Sequence, residues 1–340
     1  MIGLCSKVIE VPSHQVPLPG FNRGADKKEP IFPPGGVLAD RFLIGEKIGS
    51  GAMGQVFRAY DAVTDRDVAI KVETRRKKRL PQEAIIYDAF PHQLFPEFHL
   101  FGMEQDKLNF IAMELLEGRP LKELKQASMS QIIDITLQIC GLEAFHNLGW
   151  VFLDLKPYNI ILQPNGKVKI IDFGIAHRRG QLARKDVGGS PFWMAPEVAR
   201  LYISDPEKQP TGMISPAADV YSLAIIIFEL IAGINPVKLA VKEPVVAAHQ
   251  AIYFHASNTP LAPLEPSHLA TKYRLPSYLP KDSLARKNLE SLHVTLNWLL
   301  GWMGNKNPIK RLDSLGLVHS YLTFKIKPLL DQLAPYEIHG

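Results

Sequence analysis

The sequence has 340 residues, of which 46% are hydrophobic and 21% charged, with a net charge of +5. This length suits two domains with real cores, and the low charge content argues against wholesale disorder. Two cysteines, Cys5 and Cys140, do not support a disulfide framework or a cysteine zinc site. The mild basic excess does not indicate nucleic-acid binding, and we expect neither a membrane span nor a secretory signal.

Residues 1–35 are rich in proline and glycine and show neither a strand nor a helix period, which predicts an extended arm. Two predicted strands, 41–48 and 55–59, then flank the glycine-rich turn Gly49-Ser-Gly-Ala-Met-Gly54. Its glycines would let backbone N–H groups approach phosphate oxygens, although an ordinary hairpin turn uses the same residues. Because the turn joins two strands, it argues against a dinucleotide-binding fold.

A third strand ends in Val68-Ala-Ile-Lys71, and a helix is predicted over 79–90, with Glu83 and Asp88 among its charged residues. Two more strands are predicted at 96–103 and 108–115. After Gly118 the pattern becomes helical, with a short helix at 120–126 and a longer one at 130–148. His146 on this helix is expected to be buried and hydrogen-bonded rather than catalytic.

The most informative stretch is 151–159, V-F-L-D-L-K-P-Y-N. Strands at 159–162 and 167–171 follow, then Asp172-Phe-Gly174. The hairpin is predicted to bring Asp154, Lys156, Asn159 and Asp172 close together. Two carboxylates, an amide and an ammonium in one small volume suit phosphoryl transfer, which needs metal-bound phosphates and an oriented hydroxyl. Either motif alone would fit ordinary turn chemistry, and it is their combination that favours this interpretation.

Together these motifs resemble the signature set of the protein kinase superfamily, over roughly residues 36–335. They are most similar to bacterial Ser/Thr kinases of eukaryotic type, and 83–87 is similar to casein kinase I. The resemblance implies a bilobal α+β kinase fold. After the arm at 1–35, a small β-rich N-lobe with one helix would span 36–117. A larger, mainly helical C-lobe would span 118–340, with insertions near 200–214 and 235–283.

The resemblance also implies catalytic roles. Asp154 would orient the substrate hydroxyl and accept its proton, and Lys156 would neutralise charge on the transferred phosphoryl group. Lys71 would reach the α- and β-phosphates, held by Glu83, with Asp88 as the alternative partner. Without the resemblance, Lys71, Glu83 and Asp88 would each fit a solvated surface charge.

The implied cofactors are ATP and Mg²⁺, or Mn²⁺ in its place, with Asn159 and Asp172 as the metal ligands. The apolar members of the expected nucleotide site fit a core role equally well. The expected nucleotide-binding residues are Ile48, Gly49, Ser50, Gly51, Gly54, Val56, Ala69, Lys71, Met113, Glu114, Leu116 and Ile161.

Residues 151–159, called the catalytic stretch below, depart from the family pattern at two positions. Phe152 replaces a histidine and Leu153 replaces an arginine. In the family that arginine receives the phosphate of a phosphorylated activation loop. Its replacement predicts activity that does not depend on phosphorylation of that loop.

The stretch 189–197, G-S-P-F-W-M-A-P-E, resembles the segment that supports a peptide substrate in protein kinases. Ser190, Pro191 and Trp193 are therefore expected substrate-binding residues, and Ser190 favours Ser or Thr acceptors. The loop before it is basic at 177–179 and 184–185. That pattern would suit acidic or phosphorylated substrates, or be simply a solvated face.

Two structural ties are also implied. Asp219, on a predicted helix at 215–232, would bond backbone near the catalytic loop, and Arg311 would pair with Glu197. The two insertions would either dock a partner or be decorations, with helices predicted at 285–303 and 314–333.

The sequence thus predicts an ATP-dependent Ser/Thr protein kinase with protein substrates and no nucleic-acid partner. It would be cytoplasmic, or alternatively secreted to act in a host cytosol. A pseudokinase scaffold and a small-molecule kinase are the rival interpretations. The first is disfavoured by the presence of Lys71, Asp154, Asn159 and Asp172, and the second by the 189–197 segment.

Overall fold

A computed structural model of the chain describes residues 31–32, 35–50, 54–73, 79–104, 108–208, 211–237 and 243–338. Most of the predicted arm, and Gly51 of the glycine turn, lie outside these residues. The chain divides into two compact units. The β-rich unit contains the described chain up to Pro120, together with Asn159–Ala176. The helical unit contains Leu121–Tyr158 and the chain from His177 onward.

Thirteen strands occur in the described part of the chain. They are β1 (Val37–Leu38), β2 (Phe42–Ser50), β3 (Gly54–Asp61), β4 (Arg66–Glu73), β5 (Phe98–Glu104), β6 (Leu108–Glu114), β7 (Arg119–Pro120), β8 (Trp150–Val151), β9 (Ile160–Leu162), β10 (Val168–Ile170), β11 (His177–Arg178), β12 (Gly180–Ala183) and β13 (Thr211–Ile214).

The same residues form ten α-helices. They are α1 (Leu80–Ala89), α2 (Met129–Ile139), α3 (Glu143–Asn147), α4 (Pro196–Ile203), α5 (Ala217–Ala232), α6 (Pro244–Ala256), α7 (Pro266–Ala270), α8 (Leu284–Met303), α9 (Leu315–Tyr321) and α10 (Lys327–Leu333).

The main sheet of the β-rich unit is antiparallel, with the strand order β1-β2-β3-β4-β6-β5. Alternate residues of its strands are apolar, so they share one face and form a buried core. Phe42, Ile44, Phe57, Ile70 and Phe110 are members of that core, each no more than 2% exposed. Burial of this face sets the register of each strand pair. It therefore fixes which residues lie opposite each other on neighbouring strands.

A second, three-stranded sheet of the same unit has the order β10-β9-β7. The hairpin between β9 and β10 turns at Gly166, whose φ of +77° suits a residue without Cβ. The Ile170 N–H donates to Leu94 O at 2.7 Å, and the Lys169 ammonium contacts Glu114 at 2.8 Å. These bonds connect the hairpin to the segment between α1 and β5 and to the end of β6.

Helix α5 organises the helical unit. Its sequence is apolar on every side, which is typical of a helix that is buried all round, and 13 of its 16 residues are buried. The helix ends at Gly233, which adopts a φ of +73° in the left-handed region. Helices α2, α4, α7 and α8 all contact α5.

A buried ion pair joins α4 to the loop after α8, as the sequence predicts. The Arg311 guanidinium donates to both carboxylate oxygens of Glu197 at 2.9 Å, and also to Ala217 O and Asn305 O at 2.8 Å. All of these acceptors belong to the helical unit, so one guanidinium connects the loop after α8 to α4 and to the start of α5, which are distant in sequence.

Both predicted insertions contain regular structure. The 200–214 region ends in β13, which pairs with β12 in a two-stranded antiparallel sheet. The 235–283 region contains α6 and α7, and α6 packs against α4.

Three predicted helices differ from the structure, one because it is not an α-helix and two because they are interrupted. The predicted helix at 120–126 is wrong, because the chain forms β7 and then a single 3₁₀ turn, Leu121–Glu123. A 3₁₀ turn at Cys140–Leu142, which contains Gly141, divides the helix predicted at 130–148. π-type bonding over Leu322–Ile326 interrupts the helix predicted at 314–333, just before Pro328, whose nitrogen has no hydrogen to donate.

The predicted α+β fold class is confirmed. One unit is β-rich and carries α1, and the other is mainly helical. Within the described residues, no helix is both long and apolar enough to cross a bilayer.

The Arg311–Glu197 pair gives a stability prediction. We expect Arg311→Met to lower the free energy of unfolding by about 3–5 kcal/mol, since it leaves the Glu197 carboxylate without its cation in a buried place. Lys327→Met is the matched control, because Lys327 pairs with Asp134 at 3.1 Å on the surface. The control should change the free energy by about 1 kcal/mol or less. Urea unfolding measures both, and equal effects would contradict the prediction.

Candidate active site

A lysine in the centre of the main sheet is held by two carboxylates. The Lys71 ammonium on β4 donates to both oxygens of Glu83 on α1 at 2.7 Å, and to Asp172 Oδ1 at 3.0 Å. Glu83 is the predicted partner of Lys71, whereas the alternative, Asp88, is exposed. All three residues belong to the β-rich unit, and both Lys71 and Glu83 are less than 10% exposed.

The charge state of Lys71 follows from this arrangement. Burial alone would lower the pKa of Lys71, but the charges of Asp172 and Glu83 raise it above its usual value. The side chain is therefore a permanent ammonium at neutral pH, which is the form that can pair with phosphate oxygens.

A carboxylate that the sequence analysis missed fixes the start of α1. Glu73, the last residue of β4, accepts hydrogen bonds from the backbone N–H groups of Arg79 and Leu80 and from the Asn109 amide. An anion at a helix N-terminus satisfies free N–H groups and suits the helix dipole. The position of Glu83 on α1 therefore depends partly on Glu73.

Two further bonds connect α1 to the chain after Asp172. Arg79 Nη1 donates to Gly174 O and Gln82 Nε2 to Ala176 O, both at 3.1 Å. In addition, Phe173 packs edge-on against Tyr87 of α1 and against Phe95, each with centroids 4.7 Å apart. Helix α1 and the Asp172-Phe-Gly174 motif are thus fixed to each other in the β-rich unit.

The two predicted metal ligands lie at the ends of the β9–β10 hairpin. The Ile171 N–H donates to Asn159 O at 2.9 Å, which connects Asn159 to the residue directly before Asp172. Asp172 has a φ of +74°, which aspartate tolerates better than most residues. A carboxylate and an amide oxygen are the hard donors that Mg²⁺ prefers.

The donor chemistry fits a Mg²⁺ ion that is also bound to phosphate. Within the described ranges, no three His, Cys, Asp or Glu side chains converge as a complete metal cage. Mg²⁺ normally uses one or two carboxylates and takes its remaining ligands from substrate phosphates and water. Asp172 with Asn159 is a donor set of that kind.

The register of the main sheet aligns several predicted nucleotide-binding residues. Gly49 lies opposite Val56, and Val56 lies opposite Lys71, on β2, β3 and β4. Two residues from Lys71, Ala69 lies opposite Met113 on β6. Side chains two residues apart on a strand share a face, so this part of the predicted wall is continuous.

The remaining predicted wall residues have mixed environments. Ile48 is 48% exposed on β2, and Ser50 ends that strand. Glu114, at the end of β6, pairs with Lys169, and the chain from there to Leu116 is half-buried. Ile161 lies on β9, opposite Pro120 of β7.

Gly54 has a structural reason to be glycine. A Cβ at this position would lie 2.1 Å from Val72 O on the neighbouring strand, which no side chain could relieve without moving backbone. The pairing of β3 with β4 therefore requires glycine at position 54, independently of any contact with a nucleotide.

In the helical unit, a second polar cluster joins the catalytic stretch to the predicted substrate segment. The Lys156 ammonium donates to Asp154 Oδ2 at 2.7 Å and to Ser190 Oγ at 2.8 Å. The Ser190 hydroxyl in turn donates to Asp154 Oδ1 at 3.0 Å. Each member of this triangle contacts both others, so a serine in the 189–197 segment is positioned by the proposed catalytic carboxylate and ammonium.

The other two predicted substrate-binding residues are buried. Pro191 and Trp193 both have low exposure, and the Trp193 N–H donates to Ser190 O at 3.0 Å. The Trp193 indole N–H donates to Glu229 Oε2 at 3.2 Å. These two residues therefore shape the segment from beneath rather than forming its outer surface.

Asp219 of α5 anchors the catalytic stretch, as expected. It accepts hydrogen bonds from the backbone N–H groups of Phe152 at 2.7 Å and Leu153 at 2.8 Å, and it contacts His146 Nε2 at 2.8 Å. Leu153 has a φ of +66°, which is unfavourable for a residue of this size. The bonds to Asp219 hold it there, directly before Asp154.

Comparison with known proteins identifies the family. The family model of the protein kinase domain matches residues 42–322. The chain belongs to the protein kinase family. Three curated relatives of this kinase are serine/threonine-protein kinases by name. A probable one from Corynebacterium efficiens is 29% identical over 67% of this chain and 35% of its own length.

The other two are PrkC from Bacillus subtilis and PknA from Mycobacterium tuberculosis. PrkC is 31% identical over 58% of this chain and 31% of its own length. PknA is 32% identical over 59% of this chain and 49% of its own length. The kinase chain thus spans between about a third and a half of the length of these relatives.

A group of contacts around Glu229 of α5 corresponds to no motif of the sequence. Lys122, Trp193 and Asn235 all donate to this carboxylate. The partners lie up to 107 residues from Glu229 in sequence and have no common spacing. The one indication in the sequence is that Glu229 is a charged residue inside the apolar run of α5, because a charged residue in such a place requires a partner.

His146 gives a pH prediction for the stability of the catalytic stretch. Burial by itself would lower the pKa of His146, but its hydrogen bond to Asp219 and the negative charge of Glu143, 3.9 Å from Nδ1, raise it to about 9. Protonated His146 therefore stabilises the fold fully below the unfolded pKa of 6.5. That contribution is lost as the pH rises through 6.5 towards about 9.

We expect His146→Gln to lower the free energy of unfolding by about 3 kcal/mol more at about pH 6 than at about pH 9.5, since one pKa unit is worth about 1.4 kcal/mol. Urea unfolding of both proteins at the two pH values measures the difference. A loss that is independent of pH would show that the imidazolium charge does not contribute.

Proposed function

We propose that this kinase transfers the γ-phosphate of ATP, bound with Mg²⁺, to Ser or Thr hydroxyls of protein substrates. The observation that carries the proposal is the ammonium of Lys71, held ready between Glu83 and Asp172. A charged lysine fixed beside a metal-binding carboxylate suits the binding of nucleotide phosphates, because it adds positive charge where negative charge accumulates.

The residues of the β-rich unit would act on the nucleotide. Lys71 would pair with phosphate oxygens, with Glu83 preventing its side chain from moving away. Asp172 and Asn159 would hold the metal ion, and bound Mg²⁺ would neutralise phosphate charge. Val56, Ala69 and Met113 supply an apolar surface on the same sheet for the base.

The residues of the helical unit would act on the acceptor. Asp154 would orient the substrate hydroxyl and accept its proton, while Lys156 would offset negative charge on the transferred group. The Ser190 hydroxyl, which already bonds to Asp154 and Lys156, shows that this pair accommodates an aliphatic hydroxyl. That contact supports Ser or Thr as the acceptor.

Substitution of the metal-binding and catalytic carboxylates tests the proposal. We expect Asp154→Ala to lower the rate of phosphate transfer to a generic acceptor protein by about 10²–10³, with binding of Mg-ATP retained. Asp172→Ala should lose both transfer and the thermal stabilisation that Mg-ATP gives the wild-type protein. Transfer of labelled phosphate and thermal unfolding with Mg-ATP are the measurements.

The rival functions give different results in the same experiment. A pseudokinase would be stabilised by Mg-ATP without transferring phosphate to any acceptor protein. A small-molecule kinase would hydrolyse or transfer phosphate without labelling protein. Unchanged transfer by the Asp154→Ala protein would refute the proposed role of this carboxylate.

We also infer that activity does not depend on phosphorylation of the activation segment, residues 172–197. Leu153 cannot pair with a phosphate, and the part of the segment in the helical unit is held by other contacts. Strand β12 pairs with β13 over four residues, and Arg184 Nε donates to Ser204 O at 2.9 Å. Arg178 donates to Leu148 O at 2.8 Å and stacks over Trp150.

Phosphatase treatment of the purified protein tests this inference. We expect the rate of transfer to change by less than about twofold after complete dephosphorylation, because no arginine next to Asp154 requires the charge. Mass spectrometry before and after treatment provides the control. A large loss of activity that reverses on rephosphorylation would contradict the inference.

A further inference from the structure

Next to the Asp154–Lys156–Ser190 triangle, the helical unit presents a small charged and aromatic surface. The chain passes from Lys156 to Tyr158, whose ring is 52% exposed and lies edge-on to Trp193, with centroids 6.1 Å apart. Trp193 follows Ser190 by three residues and bonds to its carbonyl. Tyr158 is therefore connected to the triangle in two ways, along the chain to Lys156 and through its ring contact with Trp193.

Lys122 completes this surface. Its ammonium donates to Glu229 Oε1 at 2.6 Å and lies 5.9 Å from the centroid of the Tyr158 ring. The Lys122 side chain is 39% exposed, whereas that of Glu229 is 12% exposed. A molecule that approaches from solvent thus meets the cation before the carboxylate.

The Glu229 carboxylate is not available to a new cation. Lys122 occupies one oxygen, and Trp193 and Asn235 donate to the other at 3.2 Å. A basic side chain of a substrate could bind there only by displacing Lys122 from a contact of 2.6 Å. An acidic side chain could instead pair with a free N–H of the ammonium, which has three donors.

We propose that Lys122 is a specificity-determining residue that makes this kinase favour acidic over basic residues near the acceptor Ser or Thr. The ligand class is a carboxylate or phosphate ester on the substrate peptide. This inference rests on the proposed kinase function and names the substrate class for the same site. Lys122 acts through charge on a side chain that flanks the acceptor, so it influences selection among substrates rather than the chemical step.

The test is a peptide library with a fixed Ser or Thr and with Glu or Arg placed at each flanking position in turn. We expect the wild-type protein to phosphorylate the best Glu peptide roughly fivefold faster, in kcat/KM, than its Arg counterpart, in line with the upper end of exposed ion pairs. Lys122→Met also leaves Glu229 Oε1 without its cation, so it should reduce that ratio to one or below, and Lys122→Glu should invert it.

The control is Lys327→Glu, which makes the same change in net charge. Lys327 is 43% exposed and pairs with Asp134 at 3.1 Å in the same unit, so it resembles Lys122 in exposure and partner. The control protein should keep the wild-type ratio, which separates a local effect from a change in overall charge.

The outcomes distinguish this inference from the proposed function. If the library is phosphorylated but Glu peptides have no advantage, or if Lys122→Glu leaves the ratio unchanged, the role of Lys122 is refuted while the kinase function stands. If neither the library nor a generic acceptor protein is phosphorylated by the wild-type protein, the proposed function itself fails. A ratio compared within one protein is unaffected by a general loss of stability, so a purely structural role of Lys122 would not invert it.

Discussion

The charge on Lys71 constrains the β-rich unit more than any other interaction in it. An ammonium that is less than 10% exposed requires opposite charge close by, since an unpaired buried charge is very costly. Glu83 and Asp172 provide that charge from two elements that are distant in sequence. The position of α1 and the conformation at Asp172 must therefore both be correct for the lysine to be satisfied. Glu73, Arg79 and Gln82 strengthen the same arrangement by fixing the start of α1 and the chain after Asp172.

Asp219 has the corresponding role in the helical unit. It is fully buried on α5, and three donors satisfy its carboxylate. Two of those donors are backbone N–H groups of the catalytic stretch, so the conformation before Asp154 is maintained by a group that takes no part in the chemistry. The positive φ at Leu153 shows that this conformation costs energy. The hydrogen bonds to the buried Asp219 carboxylate offset that cost, because hydrogen bonds to a charged acceptor are stronger than those between neutral groups.

The sequence predicted those parts of the site that depend on local motifs. The pairing of Arg311 with Glu197 and the anchoring by Asp219 could be expected because each residue belongs to a recognisable pattern. Glu73 and the Lys122–Glu229 contact could not, since neither has a periodic signal and both depend on which distant segments meet. The helix boundaries failed for a different reason. Gly141 and Pro328 interrupt helices whose apolar periodicity continues through the break.

The pairing of β12 with β13 bears on the loss of arginine at position 153. A phosphorylated loop bound to arginine is one way to restrict the conformations of an activation segment. Backbone pairing with a neighbouring strand is another, and it works without a covalent modification because the bonds form as the chain folds. Residues 200–214, which lengthen the chain between Glu197 and Asp219, contribute that strand. The insertion and the leucine are therefore consistent with each other. Under the proposal that activity does not depend on phosphorylation of the segment, strand pairing would take the place of the counter-charge that an arginine at position 153 would hold.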